Sequence, residues 1–179
     1  MSRTAAFYWV TLVIGVGGLA GCKPPPTDAN LTRGVRGPEP VYASDPLPSP
    51  DTQGADWVVS PQDEERLIYG VPGAPALVAL KCLGDSVPRR LRITRLSPAD
   101  EGAGALMALV GNGHIGRIAV DALEVSGRRV WEGEALAKDI AFEPLAGPRS
   151  LTVTVPGAGM VTINEGEAAM QFLENCRSR

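Results

Sequence analysis

Histidine is almost missing from this chain: one residue in 179, His114. It is the only side chain whose ordinary pKa lies near neutrality. Cysteine is nearly as scarce, with three residues, Cys22, Cys82 and Cys176. Two cysteines and one distant histidine make a poor metal site, so no metal and no other cofactor is expected. Charge of either sign is weak. The 17 basic and 20 acidic residues leave a formal net charge of −3, without the basic footprint that a nucleic-acid partner requires. No serine stands in G-x-S-x-G, which removes the simplest acyl-transfer reading. Nor does any apolar run reach the roughly 20 residues that span a bilayer as a helix. The longest, Ala5 to Ala20, is shorter and carries Gly15, Gly17 and Gly18. Aromatic residues are 5% of the chain, against 21 glycines and 16 prolines. That balance favours short strands and turns over long helices.

What the chain does have stands at its start. Arg3 gives a positive n-region, Ala5 to Ala20 an uncharged apolar run, and Leu19-Ala20-Gly21-Cys22 two small residues between a leucine and a cysteine. Type and spacing resemble the lipobox of bacterial lipoproteins. The resemblance implies a signal segment over 1–21, with Leu19, Ala20 and Gly21 as the peptidase recognition residues. It also implies cleavage before Cys22 and a thioether-linked diacylglycerol on that cysteine. The acyl chains contribute about 0.8 kcal/mol per buried CH₂, enough for stable membrane anchoring. Lys23 follows the cysteine where an inner-membrane retention signal carries Asp. By that resemblance the expected address is the outer membrane, on its periplasmic face.

That address governs the other sulfurs. In an oxidising compartment Cys82 and Cys176 read as one disulfide. Residues 22–50 read as the lipidated cysteine and a disordered, proline-rich tether: Pro24, Pro25, Pro26, Pro38, Pro40, Pro46, Pro48 and Pro50 fall here, among few large apolar residues. Residues 51–179 read as one domain with a core of its own.

Within it, short apolar or alternating runs recur. Trp57 to Val59, Ala76 to Cys82, Arg89 to Leu96, Ala105 to Val110, Ile115 to Val125, Arg129 to Leu136, Leu151 to Val155 and Met160 to Ile163 predict about eight strands. Asn112-Gly113 and Ser126-Gly127 are hairpin turns. Pro61 to Arg66 reads as a helical turn with Asp63, Glu64 and Glu65 at its start, and Tyr69 to Gly73 as loop. Residues 138–145 fit either a helical turn or a strand. Asn164 reads as a helix cap with Glu167 in the capping box. Ala169, Phe172 or Leu173, and Cys176 then share a face that turns Cys176 inward toward Cys82. The expected fold is mostly β: a single antiparallel sandwich or barrel with a C-terminal helix.

Few motifs carry chemistry. Gly111-Asn112-Gly113-His114-Ile115-Gly116 spells G-x-G-x-x-G, but a strand follows where the dinucleotide fingerprint needs a helix. It therefore reads as a glycine-rich hairpin with His114 exposed at the tip. Arg89, Arg90, Arg92 and Arg95 form the densest basic cluster. Arg90 and Arg92 share a strand face and are the candidate anion-binding pair, for lipid phosphate, a peptidoglycan carboxylate or an acidic partner; the alternative is a solvated face paired with acidic neighbours. Asp63-Glu64-Glu65 and Asp100-Glu101 read as turn or helix-start carboxylates. Trp57 and Trp131 read as core or rim.

The domain also resembles, diffusely, a group of small exported alpha-proteobacterial proteins. The shared features are Trp57-Val58, Tyr69 to Pro72, Leu80 to Cys82, Leu91 to Ile93, Asp139 to Phe142 and Glu174 to Arg177. That likeness implies no activity. A second is to the membrane-anchored inhibitors of C-type lysozyme, small disulfide-held β-barrels that present a Ser-Gly-x-x-Tyr loop. Here Ser126-Gly127-Arg128-Arg129 is followed by Val130, without the tyrosine. The expectation is a non-enzymatic envelope lipoprotein that binds or scaffolds. Its partners are the membrane through its anchor and another envelope protein or peptidoglycan. The alternative is an inhibitor of lysozyme-type cell-wall hydrolases.

Overall fold

The computed structural model describes residues 44–178. Leu19, Ala20, Gly21, Cys22, the rest of segment 1–21 and the tether as far as residue 43 lie outside the described residues, as does Arg179.

The described chain is mostly β, antiparallel throughout, with a helix at its end. Its strands are β1 (Asp56–Ser60), β2 (Asp63–Gly70), β3 (Val78–Leu83), β4 (Arg90–Arg95), β5 (Gly104–Gly111), β6 (His114–Val125), β7 (Arg128–Leu136), β8 (Leu151–Thr154) and β9 (Met160–Ile163). A 3₁₀ helix, Ile140–Leu145, separates β7 from β8, and α1 spans Ala168–Ser178. All nine strands belong to one open sheet in the order β1-β2-β3-β4-β7-β6-β5-β8-β9. Among the described residues no helix is long and apolar enough to cross a membrane.

The strand beyond the expected eight is β2. Asp63 to Arg66 form no helical turn; they open this strand, and Tyr69 and Gly70 end it rather than forming loop. Leu67 and Tyr69 are spaced by two and both buried, and pairing with β1 and β3 satisfies the backbone on both sides. Burial at period two outweighs the local preference of three acidic residues for a helix start. The segment around 138–145 resolves as the 3₁₀ helix, capped by Asp139, whose carboxylate accepts from the Ala141 amide.

The core lines one face of the sheet. Leu80, Leu91, Ile93, Met107, Leu109, Val153 and Val161 are fully buried. Each contributes about 1.5–3 kcal/mol relative to an exposed side chain. Side chains then join the two ends of the sheet. The Tyr69 hydroxyl, on β2, donates to Thr162 O of β9 at 3.0 Å and accepts from the Asn164 amide at 3.0 Å. Asn164 does not cap α1. Its side-chain amide donates to Thr52 O and Ala55 O, and the helix starts after Glu167, whose carbonyl accepts from the Gln171 amide.

Helix α1 buries Ala169, Leu173 and Cys176, and Cys176 is bonded to Cys82 of β3. Its last turn is held by Arg177, which donates to Ala137 O and pairs with Glu143 at 2.8 Å.

The contacts of the folded unit begin earlier than the expected boundary at 51. Ser44 donates to Asp100 from its amide (2.9 Å) and its hydroxyl (2.5 Å). The Leu47 amide donates to Gly157 O, and the Ser49 hydroxyl accepts from the Met160 amide. Pro46, Pro48 and Pro50 of this stretch lack N–H groups of their own.

Candidate functional site

The basic cluster is divided by the parity of β4. Leu91, Ile93 and Arg95 point to the core face, whereas Arg90 and Arg92 point outward. Arg95 is 4% exposed. Its guanidinium donates to Leu77 O and Ala158 O, both at 3.0 Å, and meets no carboxylate. Burial lowers its pKa from the ordinary value. Arg89, just before the strand, is also buried and holds Glu65 at 2.5 Å. Two of the four arginines therefore serve the frame.

Arg90 and Arg92 do share a face, as expected, and carboxylates already meet both. Arg90 Nε lies 3.1 Å from Glu134, and Arg92 reaches Glu134 at 3.0 Å and Glu132 at 3.3 Å. The Arg92 hydrogen bond lowers the Glu134 pKa. The solvated, paired face weighed above is the arrangement observed for this pair.

Three further residues join them: Lys81 and Arg66, which the sequence did not single out, and Asp63, which it offered as a helix-start carboxylate. Lys81 on β3 stands opposite Arg92 on β4, and Arg66 on β2 stands opposite Lys81. Asp63 pairs with Lys81 at 2.6 Å, which lowers the Asp63 pKa. The β6–β7 hairpin, turning at Ser126 (φ 52°) and Gly127 (φ 74°), leans over this row. Arg66, Ala79, Lys81, Arg92, Thr94 and Glu132 form the floor of a groove of about 530 Å³, and Leu123 to Ser126 form its wall. Charged groups of both signs, a hydroxyl and a short apolar wall converge here. No sequence signal marked the groove, because it depends on strand register.

The other motifs are structural. Gly111-Asn112-Gly113 is a hairpin turn, with Asn112 at φ 51° and Gly113 at φ 81°. The Asn112 side chain donates to Pro144 O and Gly147 O and accepts from the Arg149 amide. A Cβ on Gly111 would collide with Leu151, and one on Gly116 with the Ala141 carbonyl. The G-x-G-x-x-G letters thus follow from a turn and two close approaches. His114 is exposed at the start of β6. Trp131 is buried, and Trp57 is half-buried with its ring 5.1 Å from that of Tyr69. Asp100 accepts from Ser44, and Glu101 lies 3.6 Å from Arg129. Among the described residues no group of His, Cys, Asp and Glu is placed to hold a metal ion. Comparison with known protein families, with curated proteins and with solved structures finds no match to this chain.

Proposed function

We propose that this chain is a lipid-anchored module of the bacterial envelope. It is cleaved before Cys22, acylated there, and tethered to the periplasmic face of the outer membrane, where it works by binding or scaffolding rather than by catalysis. The observation that carries the reading is Leu19-Ala20-Gly21-Cys22 behind a charged and then apolar leader. The bonded Cys82 and Cys176 support it, since such a bridge persists in an oxidising compartment. The outer-face groove gives the module a surface to work with. The test is palmitate labelling in the native bacterium, followed by crosslinking in the envelope. Label should enter the protein and vanish in Cys22→Ser, and crosslinking should recover an envelope protein or peptidoglycan. A wild-type chain without label would end the reading.

The inhibitor alternative has one observation in its favour: Ser126 and Gly127 form an exposed hairpin tip. Inhibition of a C-type lysozyme at micromolar protein, lost when the tip is replaced, would support it. Full lysozyme activity would exclude it.

A further inference from the structure

Like charges directly opposite one another on neighbouring strands destabilise a sheet. This sheet nevertheless sets Arg66, Lys81 and Arg92 side by side on three consecutive strands. Two of the three are matched. Lys81 holds Asp63, and Arg92 holds Glu132 and Glu134. Arg66 takes part in none of the ion pairs among the described residues. It lines the groove of about 530 Å³ beside Ala79. Opposite stand Leu123, which is 45% exposed, and Val125.

We infer that this groove receives an oxyanion, carboxylate or phosphate, borne on a short apolar stem, with Arg66 as the group that takes the anion. The inference deepens the reading of the domain as a binding module and rests on it. A planar guanidinium offers two parallel N–H groups to such an oxyanion. A negative group here also relieves the repulsion between Arg66 and Lys81. The stem lies over Ala79 and under Leu123 and Val125. Glu124 and Glu132, also in the lining, repel a second negative charge, so the ligand carries its anion at one end.

The test is a titration of the full chain, followed by the amide NMR signals of residues 66, 79 and 123. The probes are hexanoate, hexyl phosphate, inorganic phosphate and hexylammonium. Saturable shifts are expected with hexanoate, hexyl phosphate or both, and which of them binds separates carboxylate from phosphate ligands. Inorganic phosphate, lacking a stem, should bind more weakly, and hexylammonium should not saturate. Arg66→Gln should weaken binding about tenfold or more, as expected for a charged hydrogen bond. Arg117→Gln, exposed elsewhere on β6, should leave it unchanged. Leu123→Asp should weaken it without touching Arg66. Raised salt should weaken it too. Equal binding of hexylammonium, an Arg66→Gln titration matching wild type, or no saturation by either anionic stem would overturn the inference. None of these results bears on acylation of Cys22, so the anchor reading stands or falls separately.

Discussion

Replacing Tyr69 by Phe should remove the join between the two ends of the sheet while leaving its packing nearly intact. The side chain is fully buried. Phe keeps the ring and its contact with Trp57, so the cavity term is small. What goes is the hydroxyl that donates to Thr162 O and accepts from the Asn164 amide. A buried group left without its partner costs about 1–3 kcal/mol. Thr162 is half-buried and Asn164 is exposed, so water recovers part of each bond. The sum is therefore about 2–3 kcal/mol. With a urea m-value of about 2 kcal/mol/M, the unfolding midpoint should fall by about 1–1.5 M with m unchanged. Alkali gives a second readout. Burial raises the Tyr69 pKa above its ordinary 10.0. Its contribution is then complete below pH 10 and is lost as pH rises through the folded-state value. That alkaline component should be missing in Tyr69→Phe. A Phe variant within 0.5 kcal/mol of wild type would refute the claim that this hydroxyl joins the ends.

Four other outcomes are expected. Gly116→Ala drives a methyl against the Ala141 carbonyl and should cost about 1–3 kcal/mol in urea unfolding, the range for overpacking. Removing the bridge with Cys82→Ala and Cys176→Ala frees a loop of sequence separation 94. It should cost about 4–5 kcal/mol by chain entropy, read as a lower melting temperature that no longer responds to reductant. Asp63, Asp100 and Glu134 have pKa values lowered mainly by Lys81, Ser44 and Arg92 respectively. Folded values below the unfolded ones mean that their stabilisation is present above the ordinary carboxylate range and is lost as pH falls through the folded-state values. Acid unfolding should therefore begin below about pH 4, and Glu134→Gln should flatten part of that limb. Asp100→Asn should weaken the hold on Ser44, seen as faster amide exchange at Leu47.

Much of the fold was legible in the chain because period-two burial is a local signal. Leu91 and Ile93 faced the core, Arg90 and Arg92 faced outward, and both positive-φ turns stood where their Asn-Gly and Ser-Gly pairs placed them. The pairing of Cys82 with Cys176 followed from a compartment argument and from helical spacing on α1. Asp63 to Arg66 misled because three acidic residues after Pro61 resemble a helix start, while the partners that make them a strand are supplied by β1 and β3. Within the four-arginine cluster the same alternation set Arg90 and Arg92 on one outward face, and Arg95 follows the inward parity of Leu91 and Ile93. The groove was not legible at all. Arg66, Lys81 and Arg92 are far apart in sequence, and only strand register brings them into one row.

The most direct measurement is the intact and peptide-level mass of the protein isolated from the cells that make it. The account predicts a polypeptide that begins at residue 22 with diacylglycerol on its sulfur, and a non-reduced peptide pair linking residues 82 and 176. A chain that still carries residues 1–21, or free thiols at both of those positions, would contradict it.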